Sequence, residues 1–315
     1  MSHWLGNLQQ STLQGTNNIT IHYCAMVQTE PSPAMIMVNG RTESYLKYQS
    51  LINEFYQLGY SVYMLDHRGQ GLSQRLLNNH HKGHVEDFSF YVEDLTQFID
   101  DVVLPNEHSH HILLGHSMGG TIATRYVQTK NHQIERLILA SPMHGILLPA
   151  PQFIVEQLTN AAMMTDKLLQ RESSYVLGGK PYDNAEFEGN DLTQDESRYS
   201  NFRQVYEDTP QLQLGSPTYH WLQTSQRACE ACLRDADKIS IPTLLLQAGA
   251  DTIVDNNAQD EFARNMQPSL IEKVEIDGAR HELFFELEDY RTQVIAQVRR
   301  FLAFNDEAEK VSGDV

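Results

Sequence analysis

Three shortages narrow what this chain can be: it has few cysteines, few basic residues and no long apolar run. The three cysteines, Cys24, Cys229 and Cys232, cannot build a disulfide framework, which indicates a reducing compartment. No stretch reaches the roughly 18 apolar residues of a membrane-spanning helix, and no apolar leader follows the first residues. We therefore expect a soluble, cytoplasmic protein.

The shortage of positive charge limits the possible partners. The chain has 23 Lys and Arg against 41 Asp and Glu, a formal net charge of −18. This sign repels a phosphate backbone, so we predict no nucleic-acid partner, and peripheral membrane contact would need a local apolar or basic patch. The Cys229 and Cys232 pair has no second pair to complete a metal site, and we interpret it as helix packing.

Short apolar runs alternate with segments of helical period, a pattern typical of a mostly parallel sheet covered by helices on both faces. Helical periodicity predicts covering helices from Tyr45 to Gly59, from Phe88 to Val102 and around Val294 to Leu302. The predicted strands are Ile19–Ala25, Ala34–Val38, Val62–Leu65, Ile112–Leu114, Leu137–Ala140, Thr243–Gln247 and Val274–Ile276.

The alternation breaks in the middle of the chain, where a segment rich in Met and aromatic residues has no evident buried strand. We predict a helical insertion there. Its apolar residues either pack on the domain below or cover a bound acyl group. The predicted division is a core of residues 1–142 and 226–304, an insertion of residues 143–225 and a flexible tail of residues 305–315.

The segment Gly115–Gly120, with sequence G-H-S-M-G-G, lies between a predicted strand and a segment of helical character. Its Gly-x-Ser-x-Gly pattern predicts a nucleophile elbow, a strained turn in which Gly115 and Gly119 avoid collisions with neighbouring backbone. The helix that follows directs its positive end at Ser117, which favours an oxyanion. We predict that Ser117 is a nucleophile.

A serine hydroxyl needs a base to take its proton and a carboxylate to orient that base, in the chain order serine, acid, histidine. Asp251 follows the strand at 243–247 across a glycine turn, and Asp255 is its rival. His281 follows the last predicted strand across another glycine turn. We predict Asp251 as the acid and His281 as the base.

Two backbone N–H groups are expected to stabilise the oxyanion. One belongs to Met118, directly after the nucleophile. The second is assigned to Arg41, in the loop after the strand Ala34–Val38, although Gly40 could instead merely turn the chain and leave Arg41 pointing to solvent.

Histidine is abundant, with 14 residues, but two clusters of it lack the nearby carboxylates of a hydrolytic metal centre. We predict no metal and no cofactor. The clusters are His80, His81 and His84, and His108, His110 and His111.

With these residues placed, the chain from about 18 to 304 resembles the monoacylglycerol lipase and lysophospholipase group of α/β-hydrolases, most closely its bacterial members associated with the inner membrane. The resemblance rests on Gly115–Gly120 and on Asp66–Ser73, which is similar to the group's D-x-R-G-x-G-x-S signature. We expect Asp66 and Arg68 to pair across this turn in a structural role. Many members carry His-Gly where this chain has Asn39-Gly40.

The resemblance implies the α/β-hydrolase fold, a cap inserted after the sixth strand and contact with the inner membrane. It also implies a lipid-like ester substrate. We expect hydrolysis of a lysophospholipid to a fatty acid and a glycerophosphodiester through an acyl-enzyme. A monoacylglycerol lipase or general carboxylesterase would use the same residues, acyl transfer to another alcohol is open, and an inactive binding protein of this fold is a further alternative.

Overall fold

A single eight-stranded sheet organises the chain in this computed structural model, which describes residues 8–148 and 150–303. The strand order is β1-β2-β4-β3-β5-β6-β7-β8. The pairs β1/β2 and β2/β4 are antiparallel and all later neighbours are parallel. The strands are β1 (Gln9–Gly15), β2 (Ile19–Met26), β3 (Ser32–Val38), β4 (Ser61–Leu65), β5 (His108–His116), β6 (Arg136–Ala140), β7 (Thr243–Ala248) and β8 (Ile271–Ile276).

Every predicted strand lies within an observed one, and the mostly parallel sheet is confirmed. β1 is the strand that the sequence pattern missed. It is an edge strand of mainly exposed polar residues, paired with β2 so that Leu13 lies opposite Ile21. An edge strand pairs with a neighbour on one side only. When it is largely exposed, it does not need the apolar run that identifies a buried strand.

Helices cover both faces of the sheet because the central strands are apolar on both sides. The helices are α1 (Gln49–Gln57), α2 (Ser89–Phe98), α3 (Met118–Thr129), α4 (Gln152–Leu168), α5 (Glu196–Asp208), α6 (Tyr219–Arg234), α7 (Asn256–Asn265) and α8 (Glu288–Leu302). In β3, Ile36 and Val38 face one core with α2 and α3, whereas Met35 and Met37 face the other with α1 and α8.

The first predicted helix is shorter than its periodicity suggested, because α1 begins at Gln49. Tyr45 and Tyr48 precede the helix and are nevertheless buried. Polar groups hold them there: Tyr45 N–H donates to Asp66 Oδ1 at 2.7 Å, and Tyr48 Oη–H donates to Glu43 Oε2 at 2.7 Å. Side-chain hydrogen bonds thus replace helical ones in this segment.

The segment between β6 and β7 contains α4, α5 and α6. The predicted boundary at 226 falls inside α6, whose last turns pack on α3 through Arg125 Nη1 and Asp235 Oδ2, 2.8 Å apart. Cys229 and Cys232 are buried in α6, which confirms their packing role. The predicted tail at 305–315 lies outside the described residues.

Within residues 8–148 and 150–303, no helix combines the length and apolarity needed to cross a membrane.

The expected pairing of Asp66 with Arg68 is wrong. Asp66 is saturated by other donors, the Ser44 hydroxyl and the N–H groups of Tyr45 and Leu72, at 2.7 to 2.8 Å. Arg68 instead makes a fork with Asp94 of α2, Nε to Oδ2 at 2.6 Å and Nη2 to Oδ1 at 2.7 Å. Asp66 and Arg68 are close in sequence, but the tight turn directs their side chains to different elements, so they do not pair.

Asp94→Ala should destabilise the protein by about 3 to 5 kcal/mol, because it leaves the buried Arg68 charge without a carboxylate to neutralise it. The matched control is its neighbour Glu93→Ala, which breaks an exposed pair with Lys130 and should cost less than about 1 kcal/mol. Urea unfolding measures both. Equal losses in the two variants would contradict the role assigned to the buried fork.

Candidate active site

Ser117 occupies the turn between β5 and α3 with φ 53° and ψ −123°, a conformation costly for a residue with a side chain. Neighbouring backbone holds it: Ser117 N–H donates to Ala140 O at 3.1 Å, and Met143 N–H donates to Ser117 O at 2.9 Å. The turn leaves the serine at the start of α3, where the helix dipole is positive.

The glycines of the predicted elbow are required by close backbone approach. A Cβ at Gly119 would lie 2.0 Å from Val38 O, and one at Gly115 would lie 2.6 Å from Gly119 O. Any larger residue would push α3 away from the end of β3. The serine therefore stays next to the loop that follows β3, where a Cβ at Gly40 would lie 3.1 Å from Ser117 Cβ.

The structure brings Asp251 and His281 together. Nδ1 of His281 lies 2.7 Å from Asp251 Oδ2, while Asp251 Oδ1 accepts the N–H groups of Ile253 and Val254 at 2.8 and 3.1 Å. The rival Asp255 instead caps α7, accepting Asn257 N–H at 2.9 Å. Nδ1–H donation to a carboxylate leaves Nε2 as the basic nitrogen of a neutral ring.

The surroundings of His281 favour its protonated form. Burial opposes the charge, but the hydrogen bond and charge of Asp251, followed by the charges of Glu282 and Glu43, outweigh it and raise the pKa of His281 above its ordinary value. A raised pKa makes the imidazole a stronger base.

The loop after β3 is held by groups that the sequence did not indicate. Gln70 Nε2 donates to Gly40 O at 2.7 Å, and the Glu43 carboxylate accepts Gly40 N–H. Because the peptide is trans, fixing the Gly40 carbonyl also fixes the opposite direction of the Arg41 N–H. Neither the Arg41 N–H nor the Met118 N–H donates a hydrogen bond to another residue of the described chain.

The replacement of His by Asn39 leaves the loop anchored by other contacts. The backbone carbonyl of Asn39 accepts a hydrogen bond from His67 Nε2 at 3.1 Å. The side-chain Nδ2 of Asn39 lies 3.5 Å from Asp66 Oδ1. Together with the contacts of Gln70 and Glu43, these contacts hold the loop after β3.

A buried charge cluster lies beside Ser117 and His281. Lys47 Nζ contacts the carboxylates of both Glu43 and Glu282, the latter at 2.6 Å, and His116 Nε2 lies 3.6 Å from Glu282 Oε2. Burial raises the pKa of each carboxyl, but the charges of Lys47 and His116 and the hydrogen bonds of Lys47 and Tyr48 leave the pKa of Glu43 lowered, whereas burial and the Glu43 charge leave the pKa of Glu282 raised. Glu43 and Glu282 are far apart in sequence, so the sequence does not indicate that they meet. The one signal it offers is that Glu282 is adjacent to His281.

Glu43, His116 and Glu282 also have ligand atoms within 4.8 Å of one another, the one such set among the described residues. The Lys47 ammonium already lies between the two carboxylates and supplies positive charge there. Neither predicted histidine cluster forms a ligand set within the described ranges. His84 Nδ1 instead bonds Thr218 Oγ1 at 3.0 Å, and His108 Nε2 bonds Tyr63 Oη at 2.9 Å.

Ser117 and His281 line one cavity of about 370 Å³, together with the loop after β3. Its opposite wall comes from the segment between β6 and β7. Apolar and aromatic side chains of that wall are Tyr182, Leu192, Phe202, Tyr206 and Leu214, and the basic side chains around the cavity are Arg41, Lys47, Lys180 and Arg203.

Comparison with known proteins gives concordant matches. The family model Hydrolase_4, described as serine aminopeptidase, S33, matches residues 29–288. The probable lysophospholipase L2 of Haemophilus influenzae is 37% identical over 92% of this chain and 90% of its own length. Lysophospholipase L2 of Escherichia coli K12 is 33% identical over 93% of this chain and 86% of its own.

A solved structure of a soluble variant of monoglyceride lipase from Saccharomyces cerevisiae, in complex with a substrate analog, superposes with a TM-score of 0.71. The match covers 94% of this chain and 93% of that one at 19% identity, a likeness of fold.

We expect kcat/KM for a short acyl ester to fall at acidic pH with a midpoint above 6.5, the ordinary pKa of histidine, because the base must be neutral. Asp251→Asn should move that midpoint to lower pH and reduce the plateau by about 10³- to 10⁴-fold, since the orienting charge is lost.

Initial rates across the pH range measure both effects, and Asp255→Asn is the matched control that should leave the midpoint in place. A midpoint that shifts in Asp255→Asn and not in Asp251→Asn would show that Asp255, and not Asp251, orients His281.

Proposed function

The chain belongs to the serine aminopeptidase S33 family and has the α/β-hydrolase fold, and we propose that it is a carboxylic ester hydrolase acting on lysophospholipids. The observation that carries the proposal is that His281, hydrogen-bonded to Asp251, lines one cavity with the strained Ser117. The two lysophospholipase L2 relatives, similar over most of both chains, support the substrate.

In the proposed first step, His281 Nε2 takes the proton of Ser117 Oγ as that oxygen attacks the ester carbonyl carbon. The oxyanion accepts hydrogen bonds from the N–H groups of Met118 and Arg41. The carbon–oxygen bond to the glycerol then breaks, and the leaving oxygen receives the proton from His281. The products are the acyl-enzyme and a glycerophosphodiester.

In the second step, His281 removes a proton from water, whose oxygen attacks the acyl carbonyl. Collapse of the tetrahedral intermediate returns the proton to Ser117 Oγ and releases the fatty acid. Asp251 stays ionised and stabilises the imidazolium in both steps. Burial raises and the His281 hydrogen bond lowers the pKa of Asp251, with a net shift below its ordinary value.

Wild-type protein should hydrolyse a lysophospholipid faster than a monoacylglycerol of equal chain length, and Ser117→Ala should abolish both activities without loss of folded structure. Fatty-acid release and circular dichroism measure these outcomes. Ser225→Ala, at a buried serine in α6 outside the cavity lining, is a matched control. Retained turnover in Ser117→Ala would reject the mechanism, and a preference for monoacylglycerol would favour a monoacylglycerol lipase instead.

We also propose that the segment between β6 and β7 is a cap that touches lipid surfaces. Large exposed apolar side chains concentrate there, with Leu177 85% exposed, Leu168 74% and Phe153 66%. Such clustering marks an interaction surface. A lipid-like substrate resides in a bilayer, and apolar contact would let an acidic protein approach one without basic residues.

Leu168→Ser with Leu169→Ser should reduce sedimentation with zwitterionic phospholipid vesicles by about tenfold or more, since each leucine contributes roughly 1.5 to 3 kcal/mol when buried. Leu58→Ser, at an exposed leucine after α1, is the control and should sediment like the wild type. Unchanged binding of the double variant would refute this contact.

A further inference from the structure

The basic side chains of the active-site cavity differ in whether a carboxylate neutralises them. Lys47 is flanked by Glu43 and Glu282, and the exposed Lys180 is paired with Asp183. Within the described ranges, no carboxylate oxygen lies within salt-bridge distance of Arg41. Its charge therefore remains available to an anion in the cavity.

Arg41 is nonetheless held in place. Its Nη1 donates to Gly215 O at 2.9 Å, and its guanidinium lies 5.4 Å from the centroid of the Trp221 ring. Burial lowers its pKa to about 10, so the side chain is still charged at neutral pH. One carbonyl and one aromatic face satisfy only part of a guanidinium with five N–H donors, which leaves donors for a ligand.

Arg203 adds a second charge at the outer part of the same cavity. Its guanidinium donates to Asn184 Oδ1 at 3.2 Å and to the Asp183 carbonyl, and it lies 5.1 Å from the Tyr182 ring centroid. It likewise has no carboxylate within salt-bridge distance among the described residues. Two guanidinium groups without a carboxylate at salt-bridge distance therefore line this one cavity.

The geometry points to a phosphate subsite: we propose that the Arg41 guanidinium, assisted by Arg203, binds the phosphodiester of the substrate and so selects phosphorylated over neutral glycerol esters. This inference rests on the proposed function, whose reaction places the ester carbonyl beside the Arg41 N–H. The guanidinium and that N–H belong to one residue, so one arginine side chain separates them. The glycerol linker between ester and phosphate has a similar reach.

The chemistry suits the ligand. A guanidinium binds phosphate oxygens through paired, charge-assisted hydrogen bonds, and these are strong where water is excluded. A neutral monoacylglycerol would offer only hydroxyl groups at this position. Arg41 would thus serve both steps of recognition, its main chain holding the reacting carbonyl and its side chain holding the head group.

The test compares Arg41→Gln with the wild type on lysophosphatidylglycerol and on monoacylglycerol of equal chain length. Any side chain keeps the backbone N–H, so turnover of monoacylglycerol should fall less than turnover of lysophosphatidylglycerol, and the ratio of the two is the readout. Turnover of lysophosphatidylglycerol should lose about 10- to 100-fold in kcat/KM, mainly through KM, as expected for one charged hydrogen-bonding group. Arg203→Gln should lose less, because the hydrogen bonds of the Arg203 guanidinium are exposed to water, whereas that of Arg41 to Gly215 is partly buried.

Arg75→Gln is the matched control. Arg75 also ties backbone carbonyls of two segments together, Gly71 O and Gln211 O, but it does not line the cavity. It should reduce the two activities equally or not at all. Equal losses on both substrates in Arg41→Gln would reduce that residue to a structural bridge and overturn the proposal.

Competition by sn-glycerol 3-phosphate separates this proposal from the proposed function. It should inhibit hydrolysis of a short neutral ester competitively in the wild type, more strongly than glycerol does, and about 10- to 100-fold more weakly in Arg41→Gln. Arg41-dependent inhibition in a protein that does not hydrolyse lysophospholipids would refute the substrate but support the phosphate subsite. No competition in the wild type would overturn the subsite.

Discussion

The close approach of α3 to the end of β3 determines where the other parts of the site can lie. Gly119 lies against the carbonyls of Val38 and Asn39, and no side chain fits there. This contact puts the turn at Ser117 next to the loop that carries Gly40. Because β3, β5 and β6 are parallel neighbours, their carboxyl ends meet at the same edge, and loops from distant parts of the chain converge on one cavity.

A second layer of buried polar groups fixes those loops from below. Asp66 accepts hydrogen bonds from both the segment after β3 and the turn after β4. Glu43 reaches Gly40 N–H, and through Lys47 it is linked to Glu282, the residue after His281. The loop expected to hold an oxyanion and the loop that carries the base are therefore joined through one ammonium group. Such a network is costly to bury, and it specifies one arrangement of the site.

Much of the fold was predictable because the sheet is buried on both faces, and buried strands such as Thr243–Ala248 are apolar throughout. The candidate site residues Ser117, Asp251 and His281 were recognisable because each follows a strand across a glycine turn. The edge strand β1 carries no such signal. The partner of Arg68 could not be inferred, since Asp94 lies on another element and only the folded chain brings them together. Glu43, Lys47 and Gln70 were missed for the same reason.

If its surroundings activate Ser117 as a nucleophile, the serine will react covalently with a fluorophosphonate. Folded protein incubated with a fluorophosphonate probe should gain the mass of one adduct, and peptide mapping should place that adduct on Ser117. The Ser117→Ala variant should gain none. If the folded wild-type protein resists labelling, or if an adduct still forms in Ser117→Ala, Ser117 is not the activated nucleophile.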